Sequence, residues 1–409
     1  MKFNDLNLSD PITRSLKDQG YEKPTPIQTE VIPAILNKSD VMAAAQTGTG
    51  KTAAFVLPIL SMLSNPKNNY KGHQLRALIL TPTRELAAQV RESVNTYSKY
   101  LSIRSTAVYG GARIHNQRLK LRKGVDVLVA TPGRLLDLYN QKAVNFKNIE
   151  LFVLDEADQM LDMGFIHDIK KIANLLPDRR QNLMFTATFS NPFRKLAKEM
   201  ADKAIEISVT TDGEAGENIE HYCHPVDKSR KAELLIELIE TQNWDQALVF
   251  TRTKHGADRL QKQLEKVEIS AKAIHGNKTQ NNRMKALDAF KNNRVKILVA
   301  TDVAARGIDI KKMSQVINFD VPTVAKDYIH RIGRTGRGGD KGKAITLVSA
   351  DEFRLLSDIE KLLGQKLERV EIEGFEPEHV VPAKEKQKPK NKKFHNRGGF
   401  KNRRRSRKG

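Results

Sequence analysis

Ala45-Gln46-Thr47-Gly48-Thr49-Gly50-Lys51-Thr52 follows a short apolar run, Val41 to Ala45, and precedes Ala53-Ala54-Phe55-Val56-Leu57. The order reads strand, glycine-rich loop, helix. In that setting glycines let backbone N–H groups close around phosphate oxygens, a lysine reaches the β- and γ-phosphates, and a hydroxyl coordinates Mg²⁺. Lys51 and Thr52 are the residues for those two tasks. Ala45 stands where the usual pattern has glycine, so the plain string G-x-x-x-x-G-K-[ST] is not matched. Taken alone, the stretch could also be a Gly-rich connecting loop. A second run decides between these readings. Leu151-Phe152-Val153-Leu154 reads as a buried strand ending in Asp155-Glu156, which offers one carboxylate for Mg²⁺ and another for water. Together the two stretches imply nucleotide hydrolysis.

Working outward, runs at Ala77–Leu80, Val125–Ala130, Leu151–Leu154 and Leu183–Phe185 alternate with amphipathic stretches. That is the pattern of βαβ units and a parallel sheet. Upstream, Gly20-Tyr21-Glu22-Lys23-Pro24-Thr25-Pro26-Ile27-Gln28 sets two prolines around a turn before a helix, and Ile205–Glu217 is polar enough for a linker. Beyond it the pattern begins again. Ala77-Leu78-Ile79-Leu80-Thr81 is echoed by Ala247-Leu248-Val249-Phe250-Thr251, and Val129-Ala130-Thr131 by Val299-Ala300-Thr301, both displaced by 170 residues. Ala107-Val108-Tyr109-Gly110 resembles Ala273-Ile274-His275-Gly276 at a displacement of 166. Three echoes in order argue for two copies of one α/β domain. The second copy lacks the Gly-Lys-Thr loop and has Asn318-Phe319-Asp320 at the place of Asp155-Glu156. What it adds is His330-Arg331-Ile332-Gly333-Arg334-Thr335-Gly336-Arg337. Arginines at three-residue spacing can reach across a cleft to a γ-phosphate, where the blander reading is a solvated basic face.

At 409 residues the chain exceeds one core and fits two or three domains. A net charge of +22 predicts an acidic polymer as partner. Residues 384–409 carry 13 Lys and Arg and a single Glu, a net +12, which leaves +10 for the rest. The lone cysteine, Cys223, permits no intrachain disulfide and suits a reducing compartment. Met1 to Asp5 lacks the apolar core of a signal peptide, and no apolar run approaches membrane-spanning length. The expectation is a soluble, cytoplasmic protein without membrane contact. No Cys/His/Asp spacing suggests zinc.

With these residues in view the chain resembles the DEAD-box RNA helicases, over its length to about residue 368. Asp155-Glu156-Ala157-Asp158 is the eponymous motif. Beside it stand Pro82-Thr83-Arg84-Glu85-Leu86-Ala87, Gly110-Gly111, Thr131-Pro132-Gly133-Arg134, Thr186-Ala187-Thr188, Ala300-Thr301-Asp302 through Arg306-Gly307-Ile308-Asp309, and the arginine segment. The wording of Met184-Phe185-Thr186-Ala187-Thr188-Phe189-Ser190 resembles the bacterial RhlE-type branch. The family's third motif usually begins with Ser where this chain has Thr186, so a hydroxyl is kept.

The resemblance implies two tandem RecA-like domains, each a parallel sheet with helices on both faces, and a disordered basic tail. Their expected extents are 1–207, with an adenine-recognition segment at about 1–29, and 218–368, joined by a linker at 208–217 and followed by the tail at 369–409. It implies an RNA-dependent ATPase using ATP and Mg²⁺. Gln28 would read adenine, with Tyr21 and Phe3 packing the base. Ala45, Gln46, Thr47, Gly48, Thr49, Gly50, Lys51 and Thr52 would hold phosphate, and Thr52 and Asp155 the metal. Glu156 would position water and accept its proton. Asp158, Thr186, Thr188 and His330 would relay between nucleotide and domain interface. From the second domain, Gly307 and Asp309 would meet the ribose side, and Arg334 and Arg337 the γ-phosphate. RNA contacts fall on Pro82, Thr83, Arg84, Gly110, Gly111, Thr131 and Arg134 in the first domain. In the second they fall on Arg252, Gly276, Gln280, Arg283, Thr301 and Arg306. These small, hydroxyl and Arg residues suit phosphate and 2′-OH contacts rather than base edges. The implied partner is RNA bound without sequence preference, single-stranded or short duplex, to a monomer, with ribosomal or RNA-decay proteins as further partners. The tail reads as an RNA tether. Two rivals share most of these motifs. One is an ATP-gated RNA clamp or chaperone without productive unwinding. The other is a DNA helicase, against which stand Gln28 in its Pro-Thr-Pro-Ile-Gln setting and Asp158 in place of His.

Overall fold

The computed structural model describes residues 2–45, 48–64, 72–209, 219–305, 313–336 and 342–378. Gln46, Thr47, Arg306, Gly307, Asp309 and Arg337, residues 210–217 of the expected linker, and the tail beyond Glu378 lie outside the described residues.

The apolar runs become short central strands buried on both faces, as parallel sheets covered by helices require. The edge strands Ile205–Ser208, within the stretch that read as linker, and Glu368–Arg369 are largely exposed. In the first half the strands are β1 (Val41–Ala44), β2 (Ala77–Leu80), β3 (Ser105–Val108), β4 (Val127–Ala130), β5 (Leu151–Leu154), β6 (Gln181–Thr186) and β7 (Ile205–Ser208). In the second they are β8 (Ile219–Pro225), β9 (Ala247–Phe250), β10 (Ala271–Ile274), β11 (Ile297–Ala300), β12 (Gln315–Asn318), β13 (Gly342–Val348) and β14 (Glu368–Arg369). The seven-stranded sheets run β3-β4-β2-β5-β6-β1-β7 and β10-β11-β9-β12-β13-β8-β14. Strand for strand this is one order used twice, which confirms the repeat read from the sequence. Successive side chains along each strand enter opposite faces. In the first half Ile79 and Val153 join one apolar cluster, and Leu78, Leu80 and Phe152 join the other. In the second, Val249 and Ile317 face one way and Leu248, Phe250 and Val316 the other.

The carboxyl ends of the strands matter most, because ligands of open α/β sheets bind there. Matching registers place Leu154 beside Leu80 and Asn318 beside Phe250. Phe319 and Asp320 therefore take the positions of Asp155 and Glu156. At the chain's far end, packing continues past residue 368. Val370 N donates to Cys223 O at 2.9 Å, the Arg230 guanidinium lies 4.6 Å from the Phe375 ring, and Glu378 N donates to Asp227 at 2.9 Å. Among the described residues no helix is long and apolar enough to cross a membrane.

Candidate functional site

β1 leads into a loop whose glycines Gly48 and Gly50 have φ of 87° and 93°. The helix Lys51–Leu63 starts directly after it. A Cβ on Gly50 would sit 2.4 Å from Gln28 Nε2, so the turn needs glycine both for its φ and for room. Gln28 is buried; its Oε1 accepts from Thr25 N at 3.0 Å and its Nε2 donates to Gly50 O at 3.2 Å. The segment expected to read adenine is thus bolted to the phosphate loop. Phe3 is buried edge-on to Tyr21, and the Tyr21 hydroxyl lies 3.0 Å from that of Tyr97.

Lys51 is buried, with its ammonium on the carbonyls of Ala45 and Thr186, the latter at 3.3 Å. Thr52 follows on the next residue of the same helix. At the end of β5, Asp155 is fully buried. Burial first, and then the neighbouring Glu156, push its carboxyl up to about 7, while Lys51 pulls the other way. Glu156 holds φ 52° and ψ 52°, the left-handed region, which a non-glycine residue keeps only where the surroundings over-determine it. Two crowded carboxyl groups beside one lysine suit a divalent cation better than they suit each other. Among the described residues no group of three or more His, Cys, Asp or Glu could hold a metal. Mg²⁺ held by Thr52 and Asp155 would therefore take its remaining ligands from phosphate oxygens and water.

The relay residues of the first half lie together. Asp158 accepts from Gln159 N at 2.9 Å and from Ala187 N at 3.0 Å, and Thr186 Oγ1 donates to Thr188 O at 2.9 Å. In the second half His330, on the helix Ala325–Ile332, lines a small hollow with Asp302, Asp327, Arg331 and Arg334. Within the arginine segment the structure gives Arg331 an internal role. Arg331 is 1% exposed, bidentate to Asp302 at 2.5 and 2.7 Å, and bonded to Asn318 at 3.0 Å and to Asp320 O at 2.8 Å. It is an internal strut.

The residues expected to meet RNA sit at strand ends in matching pairs. Thr81 N donates to Ala130 O at 3.0 Å and Thr251 N to Ala300 O at 2.9 Å. Thr83 caps the helix Arg84–Tyr97 through Leu86 N at 3.3 Å, and Thr253 caps Lys254–Lys266 through Gly256 N at 2.9 Å. Thr131 N donates to Val108 O at 3.1 Å and Thr301 N to Ile274 O at 3.3 Å. Pro82 lies in the Thr81–Thr83 turn. A Cβ on Gly111 would lie 1.9 Å from Arg84 Nη1, so the Gly110-Gly111 loop lets Arg84 lie flat against it. Arg134 Nη1 donates to Ala112 O at 3.0 Å, tying the two motifs together. The sequence reading passed over Lys254, which stands at the place of Arg84 and reaches Asn277 at 3.0 Å beside Gly276. The same 170-residue displacement carries Thr81-Pro82-Thr83-Arg84 onto Thr251-Arg252-Thr253-Lys254 and could have found it. Arg252, by contrast, spends itself within its own half, donating to Val321 O at 3.1 Å and to Glu352 at 2.5 Å.

Among the described residues one ion pair crosses between the halves. Arg283 Nη2 lies 3.1 Å from Glu85 Oε2, and both side chains are at least 90% buried. Burial pushes the Arg283 guanidinium below its ordinary value and Glu85 opposes that shift. One turn away, both amide atoms of Gln280 are buried without a protein partner, the state expected of a group kept for a ligand.

The sequence profile of the DEAD/DEAH box helicases matches residues 25–208, and that of the helicase conserved C-terminal domain matches 230–339. The DEAD-box ATP-dependent RNA helicase RhpA of Helicobacter pylori is 40% identical over 93% of this chain and 76% of its own length. CshA of Bacillus cereus is 41% identical over 90% and 69%. Among solved structures, S. cerevisiae Dbp5 bound to RNA and ADP BeF3 superposes with a TM-score of 0.80 at 34% identity, covering 90% of this chain and 95% of that one. A DEAD box protein from Methanococcus jannaschii, 40% identical, covers 90% and 99% with a TM-score of 0.53.

Proposed function

The chain belongs to the DEAD-box ATP-dependent RNA helicases, and from that membership we propose that it opens short RNA duplexes, or remodels RNA–protein complexes, by closing its two halves around ATP and RNA together. Lys51 binds the β- and γ-phosphates, and Gln28, with Phe3 and Tyr21 behind it, reads adenine. Thr52 and Asp155 would hold Mg²⁺, which would neutralise charge at the phosphates. Glu156 orients the attacking water and takes its proton. Arg334 and Arg337 reach the γ-phosphate from the other half, and Gly307 and Asp309 the ribose side. The strand-end residues of both halves grip the RNA backbone, and closure bends the strand beyond what a duplex tolerates. The observation that carries this reading is the division of labour. Phosphate loop and carboxylates lie in one half, the arginine segment in the other, and Glu85–Arg283 joins them. Linkage then requires RNA to strengthen ATP binding and ATP to strengthen RNA binding by the same factor.

The first test is ATP hydrolysis alone, with single-stranded RNA, and with matched DNA, using Lys51→Ala as the blank. Stimulation by RNA only is expected. Equal turnover in all three conditions would reduce the protein to a stand-alone ATPase, and RNA-stimulated turnover without strand displacement would favour the clamp. We also assign it to the RhlE-type branch, on the wording of residues 184–190, and read it as a cytoplasmic monomer acting in ribosome assembly or RNA turnover. The tail serves as a sequence-tolerant RNA tether, so deleting 384–409 should weaken RNA affinity and flatten its salt dependence.

A further inference from the structure

The helix Ile114–Arg122 connects β3 to β4 along the outer edge of the first sheet. It leaves the cleft side directly after Gly110-Gly111 and runs back along that edge. Only Gln117 and Leu121 of its residues are buried, and Gln117 fastens it by accepting from Tyr109 N at 3.2 Å and donating to Tyr109 O at 3.0 Å. The core therefore asks little of the rest. Between Gly111 and Gly124 the chain carries Arg113, Arg118, Lys120, Arg122 and Lys123 and no acidic residue. All but half-buried Arg118 are exposed. None of the five makes an ion pair among the described residues. The acids nearest in the chain are engaged elsewhere. Asp126 takes His73 Nδ1 at 2.6 Å and Arg104 N at 2.8 Å, and Asp137 lies 3.7 Å from Arg134. Arg118 and Arg122 stand one turn apart, a like-charge spacing that works against the helix. The corresponding helix of the second half, Gln280–Lys291, includes Asp288 and turns Arg283 to the other half instead. The cationic row is a property of one edge and not of the fold.

We propose that this helix is a second RNA contact, a ramp that holds the phosphodiester backbone of the strand after it leaves the cleft past Gly111. The inference rests on the cleft reading given above. Contiguity supports it, because Arg84 lies against Gly111 and Arg134 holds Ala112, so the cations begin one residue beyond the expected track. Contacts of this kind add affinity without sequence information and weaken with salt. A protein with a matching acidic surface is the competing occupant.

The test uses the full chain and two RNAs: the shortest that saturates ATPase stimulation, and the same RNA extended by ten nucleotides at either end. Arg113→Gln, Lys120→Gln and Arg122→Gln are combined in one variant. Lys171→Gln, Lys195→Gln and Lys198→Gln, exposed on the first half elsewhere, give a control of equal charge change. The ramp variant should bind an extended RNA roughly ten- to a hundredfold more weakly, with its salt slope lower by about 2, at about 0.7 per lost single-strand contact. Short-RNA binding and ATPase stimulation should be unchanged. An equal loss on short and extended RNA, an equal loss in the control, or no loss at either extension would overturn the ramp, the last leaving the row to a protein. Arg84→Ala separates the two readings. It should weaken both RNAs, and if it weakens neither, the cleft assignment fails whatever the ramp variant does.

Discussion

Lys51 and Lys231 occupy the same place in the two halves, each the first residue of the helix that follows the matching strand, β1 or β8. Their surroundings differ in one decisive way. Lys51 follows a loop with two glycines at positive φ and rests on the carbonyls of Ala45 and Thr186, the latter at 3.3 Å. Neutral carbonyl partners can be exchanged for phosphate. Lys231 follows Val226-Asp227-Lys228-Ser229-Arg230, which has no glycine. Its ammonium donates to Phe319 O at 2.9 Å, to Leu347 O at 2.8 Å, and to the carboxylate of Glu352. Burial pushes Lys231 below its ordinary value and Glu352 opposes that shift. In the second half a built-in carboxylate stands where the first half would take a phosphate. One scaffold thus leaves room for a nucleotide where the lysine rests on backbone carbonyls with Asp155 nearby. It makes a sealed partner domain where the lysine hydrogen-bonds a carboxylate directly.

The comparison is broken most severely at the residues that make the halves complementary. Arg334→Ala should cut RNA-stimulated turnover by about 10³-fold or more while ATP still binds, the scale of a lost arginine finger; steady-state kinetics beside nucleotide titration would show it. Loss of binding in step with turnover would mean that Arg334 supports the fold instead. Next in size, Glu352→Gln strands Lys231 as a buried uncompensated charge and should destabilise the second half by about 3–5 kcal/mol. The first half's transition should hardly move in a thermal scan that resolves both. If the two fell together, the halves would not be independent folding units.

A smaller effect belongs to the junction. Reversing either Glu85 or Arg283 should weaken the coupling of RNA to ATP binding by about 1–3 kcal/mol, and the double exchange Glu85→Arg with Arg283→Glu should recover part of it. Measuring ATP affinity with and without RNA isolates that term, and unchanged coupling in both singles would reduce the pair to incidental contact. The smallest effect concerns Asp155. Its folded-state carboxyl titrates at about 7 against an ordinary 3.8. Between those values the folded protein keeps a proton that the unfolded chain has lost. Stability without ligand therefore falls as pH rises from about 4 to about 7. Asp155→Asn should raise the ligand-free Tm by a few degrees at pH 8 and by much less at pH 5. No difference between the two pH values would remove the buried charge as the cause.

The fold was legible because parallel strands covered on both faces announce themselves as apolar runs. The echoes at 170 residues then reported that one strand order is used twice. Much of the nucleotide site was legible for a similar reason. A phosphate loop is made of consecutive residues, so Gly48, Gly50, Lys51 and Thr52 stand together in the chain as they do in space. The strand-end pairs were half legible. Arg252 stood out as a cation, while its commitment to Glu352, 100 residues away, could not be read locally.

Sequence by itself determined what depends on neighbours along the chain: the doubled α/β pattern, the glycine turn, the acidic strand end, and the basic stretch at 384–409. Tertiary structure alone decided which like residues do unlike work. Arg331 reads as one of several evenly spaced arginines, yet Asp302 and Asn318 claim it as an internal strut. Lys51 and Lys231 both begin a helix, yet the second hydrogen-bonds a carboxylate 121 residues further along the chain while the first rests on backbone carbonyls. The reason is electrostatic. A buried charge is defined by the counter-charge within a few ångströms of it, and folding chooses that partner without regard to distance along the chain.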